Sequence, residues 1–355
     1  MEHLYAVIMA GGSGTRFWPA SRRSKPKQFL AIGAPSPLLA VTVRRLEGLI
    51  PPERILVVTA AAHADLVREV CPEIPAENVL AEPTGRNTLP CVAWASAELL
   101  RRDPESIHVV LPADHVVEPA DEFRACLAAA ARAAEAARSS LFTLGVTPTH
   151  PATGFGYIHC GESLGQSDGR EVLRVESFVE KPPLARAEAF LEQGGYLWNS
   201  GMFVWSGQAI AGALREHAPE TWKAVEHADQ AAVSELYPSL PSQSVDTGLM
   251  ERWNDVRVLP ISFGWSDVGA WTALPEVLPQ DDEQNTASGG AQLLAEDSSG
   301  CVVHGEAGEL IALLGVHDLV VVHAGGTTLV CPKDRAQEVR KLVERCATEA
   351  PEKLL

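Results

Sequence analysis

The run Ala10-Gly11-Gly12-Ser13-Gly14-Thr15-Arg16 stands directly after an apolar stretch and carries three glycines and an arginine. Glycine lets a chain turn sharply and bring its N–H groups against phosphate oxygens, and Arg16 adds a forked cationic donor. Gly11, Gly12, Ser13, Gly14, Thr15 and Arg16 are therefore candidates for gripping a phosphate. By itself such a loop is equally a plain tight turn. It is not a dinucleotide fingerprint, which would place a small residue where Arg16 stands and start a helix at once, whereas here Pro19 follows. Nor is it a Walker loop, since no Gly-Lys-Ser/Thr comes next.

Carboxylates recur at comparable places. Asp114, in Pro112-Ala113-Asp114-His115, comes after the apolar run 107–111 and falls at the carboxyl end of a buried strand, where it can hold a hard cation or cap a helix. Asp267, in the turn Gly264-Trp265-Ser266-Asp267-Val268-Gly269, supplies the second half of such a site. Magnesium is the expected cation if the ligand is a triphosphate, whose charge must be neutralised. Glu82 opens Glu82-Pro83-Thr84-Gly85-Arg86-Asn87-Thr88, where Asn87 can cap the following helix. A carboxylate beside open backbone also suits guanine, whose N1–H and N2–H₂ are donors that uracil and adenine edges do not reproduce. Gly154 and Gly156 can bring backbone close to a ligand, Glu180 and Lys181 offer a carboxylate and an ammonium, and Asn199 offers an amide at a turn. Singly, each of these reads as well as an edge bulge, a surface ion pair or a turn.

These residues need a scaffold that aims them together. Apolar runs at 5–9, 54–59, 107–112 and 141–146 alternate with helical patterns at 38–49, 64–70, 89–101 and 123–137, which is the signature of βα units and a parallel sheet. In such sheets ligands sit at the carboxyl ends of strands. From 154 to 271 the pattern is mixed, with β-like pieces at 155–160, 172–179, 196–204 and 256–260. Beyond 279, glycine turns recur between short apolar runs, predicting a β-rich appendage that closes with a helix over 334–346. The expected division is a domain over 1–280 and a second over 281–355.

Gly-Gly-Ser-Gly-Thr-Arg-Phe-Trp-Pro followed by Lys25-Pro26-Lys27-Gln28-Phe29 resembles the sugar-nucleotide pyrophosphorylase signature. The resemblance implies a Rossmann-like α/β nucleotidyltransferase domain in which Arg16 matches the loop arginine and Lys27 the lysine that lies against the phosphates. The Glu82–Thr88 run looks like the base-facing segment of mannose-1-phosphate guanylyltransferases, implying nucleotide contacts from Glu82, Pro83, Arg86, Asn87 and Thr88. The Asp114 and Asp267 segments resemble the family's two metal aspartates. TGFGYI, VEKP and WNSGMF look like its sugar-phosphate side, with Glu180 and Asn199 binding hydroxyls and Lys181 the phosphate. The resemblance implies transfer of GMP from GTP to mannose 1-phosphate, with Mg²⁺ as cofactor, a small β-helical C-terminal domain used in homodimerisation, and one activity. The rivals are the same chemistry on glucose 1-phosphate with another triphosphate, and a catalytically silent regulatory paralogue.

Composition bounds the reading. A chain of 355 residues, 46% hydrophobic and 21% charged, can build a large core. Its net charge of −17 disfavours nucleic acid and anionic membranes as partners. Against that background residues 3–46 hold no Asp or Glu, yet contain Arg16, Arg22, Arg23, Lys25, Lys27, Arg44 and Arg45, a local basic patch suited to a small anion. The seven cysteines show neither CxxC pairs nor zinc spacing, and no basic leader or long apolar span is present, so a cytoplasmic protein is expected.

Overall fold

The computed structural model describes residues 1–12, 14–34 and 36–349. Strand β1 (Leu4–Ala10) is apolar on both sides: Ala6 and Ile8 enter one core and Val7 the other. Such a strand is stable only inside a sheet covered on both faces. Accordingly β2 (Ile55–Ala60), β3 (Val79–Glu82) and β4 (Ile107–Pro112) join it in a parallel sheet, in the order β3-β2-β1-β4. Helices α1 (Leu38–Arg45), α2 (Ala64–Val70), α3 (Thr88–Arg102) and α4 (Ala120–Ala136) flank the sheet. Phe123 and Cys126 of α4 pack with Ala6 and Ile8, and Leu89 and Trp94 of α3 with Val7.

The sheet does not run on in parallel from there. The short β5 (Val116–Glu118) lies outside this sheet; with β6 (Leu141–Val146), β7 (Tyr157–Ser167), β8 (Arg170–Val179), β9 (Tyr196–Ser206) and β10 (Val256–Pro260), the order of the nine-stranded sheet is β3-β2-β1-β4-β9-β6-β10-β8-β7. β9 enters between β4 and β6, antiparallel to both, so the parallel N-terminal sheet becomes a mixed one. The reason lies in its side chains: Met202 and Val204 join one core, Phe203 and Trp205 the other. Because β9 runs backwards, its early residues lie at the same sheet edge as the carboxyl ends of β1 and β4.

Helices α5 (Leu184–Gln193), α6 (Gly207–His217), α7 (Pro219–Val225) and α8 (Gln230–Leu236) lead into an irregular strap, 237–245, and a π-helical turn, Asp246–Met250. β11 (Gly264–Ser266) pairs antiparallel with β5 and carries the chain towards α9 (Leu274–Val277). The remainder coils in short rungs: β12 (Thr286–Ser288), β13 (Gln292–Glu296), β14 (Val302–His304), β15 (Leu310–Leu314), β16 (Leu319–Ala324) and β17 (Thr327–Pro332). β12, β14 and β16 stack in parallel, as do β13 and β15, which is a β-helical arrangement closed by the antiparallel β17. The helix expected over 334–346 begins instead as 3-10 turns, Lys333–Glu338, and is α-helical over Val339–Glu349 (α10).

This coil is not a loose appendage. Phe17, Trp18 and Trp271 share one core with Val302, Val320, Val322, Leu329 and Val339. Arg22 donates to the carbonyls of Ala324 at 3.2 Å and Gly325 at 3.0 Å. Among the described residues no helix is long and apolar enough to cross a membrane.

Candidate active site

At the end of β1 the Ala10 carbonyl accepts from Gln28 Nε2 at 2.7 Å and Thr59 Oγ1 at 3.0 Å, so the glycine loop leaves the sheet from a fixed point. Gly12 (φ +93°) and Gly14 (φ +57°) turn it through left-handed backbone. Gly14 is also required by space, because a Cβ there would lie 2.6 Å from Lys27 Cβ. Gly11 and Gly12 line a cleft of about 510 Å³. Gly14, Thr15 and Arg16 do not line that cleft, although Arg16 lines an adjoining cavity with Asp267, and Ser13 lies outside the described residues.

Lys27 is buried behind the cleft wall, and its ammonium donates to Asp114 Oδ2 at 3.0 Å, to the Asp114 carbonyl at 2.9 Å and to the Asp267 carbonyl at 2.7 Å. One side chain thus ties the loop after β4 to the turn after β11. Asp114 and Asp267 both line the cleft. Enclosure pushes the Asp114 carboxyl up, but the Lys27 ammonium and His115 outweigh it and hold the group below the ordinary carboxylate range. After Asp267, Val268 sits at φ +42°, a strained conformation for a β-branched residue, with its side chain fully buried. A Cβ on Gly269 would meet Asp267 Oδ2 at 3.1 Å and Arg16 Nη1 at 3.4 Å, so the Arg16 guanidinium and the Asp267 carboxylate border the same space. Among the described residues no cluster of three or more His, Cys, Asp or Glu side chains could hold a metal ion. The pair Asp114 and Asp267 suits magnesium nonetheless, an ion that takes one or two carboxylates and completes its shell with phosphates and water.

At one end of the cleft, Glu82 is 6% exposed and lines the wall. Its Oε1 accepts from the Tyr237 hydroxyl, while Oε2 faces Gly11. Burial pushes this carboxyl up despite the hydrogen bond. Asn87, at φ +65°, caps α3 by accepting from the Thr88 N–H, and it lines the cleft with Arg86 and Thr88. Pro83 does not line it.

On the far side, Gly154, Gly156, Glu180 and Asn199 line the cleft, whereas Lys181 is exposed, does not line it and pairs with Glu180 at 2.8 Å. The structure therefore brings the two aspartates, Glu82, the Asn87 turn and the three downstream segments into one cavity, with Lys27 and Arg16 beside it. Three cleft residues escaped sequence reasoning in their roles. Asp246 bonds Asn199, Trp265 Nε1 donates to His115 Nδ1 at 3.1 Å, and His115 Nε2 then faces Asp114 Oδ1 at 4.0 Å. Asp246 and Tyr237 lie in or beside an irregular strap with no glycine loop or strand end to mark it, so only the tertiary contacts reveal them.

The sequence matches the family model described as "Nucleotidyl transferase" over residues 5–284. The chain belongs to the nucleotidyl transferase family. Residues 293–346 match a second model, "MannoseP isomerase/GMP-like beta-helix domain". Among curated relatives, a mannose-1-phosphate guanylyltransferase of Escherichia coli K12 is 38% identical, the match covering 96% of this chain and 73% of that one. One from Salmonella montevideo is 36% identical over 97% of this chain and 74% of that one. A crystal structure from Thermus thermophilus, named a mannose-1-phosphate geranyltransferase, superposes with a TM-score of 0.89 at 39% identity, covering 98% of this chain and all of that one. This nucleotidyl transferase is accordingly a sugar-phosphate nucleotidyltransferase with a C-terminal β-helix.

Proposed function

We propose that the protein transfers GMP from GTP to mannose 1-phosphate, releasing pyrophosphate and giving GDP-mannose. One arrangement carries the reading: a single cleft joins the glycine loop and Glu82 at one end to Glu180 and Asn199 at the other, with Asp114 and Asp267 between them. Glu82 is held by Tyr237 through one oxygen and presents the other, an acceptor for the donor edge of guanine. The names of the relatives support the choice of mannose.

An oxygen of the sugar phosphate attacks the α-phosphorus in line, and the bond from that phosphorus to the bridging oxygen breaks as pyrophosphate departs. A phosphate monoester is already ionised near neutral pH, so no side-chain nucleophile is needed and positioning does the catalysis. Asp114 and Asp267 are the residues that would hold magnesium, which when bound neutralises phosphate charge. Lys27 keeps the two aspartate loops together and adds positive charge beneath them. Arg16, exposed and directed to the Asp267 side, stabilises the leaving pyrophosphate.

The test is pyrophosphate release from each of four nucleoside triphosphates with mannose 1-phosphate or glucose 1-phosphate, with and without magnesium. Turnover confined to GTP, mannose 1-phosphate and magnesium is expected; a preference for another triphosphate would overturn the role of Glu82. We further propose the division 1–280 and 281–355, supported by the limits of the two family matches. The exposed Leu294, Leu310 and Leu314 on β13 and β15 favour self-association into a homodimer, which a solution mass measurement checks.

A further inference from the structure

The polar end of the cleft holds one more carboxylate than the sequence motifs supply. Asp246 begins the π-helical turn and lines the cleft beside Glu180 and Asn199. The Asn199 amide has a set orientation, because its Oδ1 accepts from Thr143 Oγ1 at 3.1 Å and from the Gly201 N–H at 3.2 Å. Its nitrogen must then face the other way, and it donates to Asp246 Oδ1 at 2.6 Å. Gly156 closes the group: a Cβ there would fall 2.7 Å from Glu180 Oε2 and 3.9 Å from Asn199 Nδ2, so only glycine leaves the space between them open.

Two carboxylates and one amide make a pocket rich in acceptors. A carboxylate offers about four acceptor positions, and Asn199 uses one of those on Asp246. The Lys181 ammonium, paired with Glu180 at 2.8 Å, offsets part of that negative charge, yet Asp246 and the second Glu180 oxygen remain acceptors, which suits a ligand with several hydroxyl donors and so the sugar ring. Burial and the neighbouring Glu180 push the Asp246 carboxyl up, as expected for acceptors crowded together.

We propose that Asp246 accepts a hydrogen bond from a ring hydroxyl of the sugar 1-phosphate and so determines sugar specificity together with Glu180 and Asn199. The assignment rests on the reading of this cleft as a sugar 1-phosphate site. Through Asn199 and the strap that begins at Tyr237, the segment 237–246 touches the sugar end and the base end of one cleft.

The test is steady-state kinetics of Asp246→Asn with GTP and mannose 1-phosphate, and with its 2-, 3-, 4- and 6-deoxy analogues. The variant is isosteric and can still accept from Asn199. Its KM for mannose 1-phosphate is expected to rise about tenfold or more, as for loss of a charged hydrogen-bond partner, with the KM for GTP within about twofold of wild type. One deoxy analogue, lacking the hydroxyl Asp246 receives, is expected to be penalised in the wild type and not in the variant. A variant that keeps the wild-type pattern across all four analogues, or raises both KM values alike, overturns the assignment. Asp246→Ala, which withdraws the acceptor without adding bulk, gives the same comparison if the asparagine variant folds poorly. Wild-type enzyme inactive on mannose 1-phosphate overturns the reading of the sugar and this assignment with it, whereas active wild type with an unaltered pattern in the variant overturns this assignment alone.

Discussion

Lys27 shows how much one side chain can decide at the residue scale. Its type and place after the glycine loop were legible in the sequence, and its attachment to both aspartate loops was not, because those loops lie 87 and 240 residues away. Lys27→Ala is expected to lower turnover by about 10²–10³-fold, measured as pyrophosphate release, with the circular dichroism spectrum retained. Near-normal turnover would remove Lys27 from the role given to it. His108, near the start of β4, is a residue that no motif singles out. It is fully buried, its Nε2 pairs with Ser106 Oγ at 2.9 Å, and burial lowers its pKa from 6.5 to about 3. The unfolded chain therefore binds a proton below pH 6.5 that the folded protein refuses until about pH 3. Stability is full above that window and is lost as pH falls through it, by about 2 kcal/mol at pH 5. His108→Asn should show a smaller fall in Tm between pH 7.5 and pH 5 than the wild type. An equal fall would mean that other groups govern the acid response.

At the scale of elements, apolar runs and helical periodicity located β1, β4, β6, β10 and α2 within a residue or so, since each is decided by local patterning. The strap 237–245 has no such pattern, yet it fastens the Glu82 end of the cleft: Tyr237 donates to Glu82, Arg86 to the Pro238 carbonyl, and the Val245 N–H to Thr88 Oγ1. Tyr237→Phe leaves a buried carboxylate oxygen without its donor, at a cost of about 1–3 kcal/mol. The KM for GTP is expected to rise while that for mannose 1-phosphate stays, and discrimination between GTP and inosine triphosphate, which lacks the N2 amine, should weaken. A KM for GTP unchanged in the variant would show that Glu82 does not depend on the strap.

At the scale of the whole molecule, the β-helical coil and the segment after the glycine loop form one structure. Trp18 lies in the coil's core, and a Cβ on Gly325 would fall 2.7 Å from Arg22 Nη2, so the segment after the glycine loop is seated on the β16–β17 turn. Arg22→Ala is expected to lower kcat/KM for GTP roughly tenfold, the equivalent of one or two lost hydrogen bonds, although the residue lies outside the cleft. A kcat/KM equal to wild type would confine the coil to a separate role. The sequence alone determined the glycine loop, the carboxylates at strand ends, the α/β pattern and the β-rich tail, because each depends on neighbours within a few residues. The insertion of β9 between β4 and β6, the burial of Lys27 beneath two distant loops, and the meeting of Asp246 with Asn199 were decided only in the tertiary structure. Those contacts join residues far apart in the chain, and their partners are chosen by which faces can be buried together rather than by any local pattern.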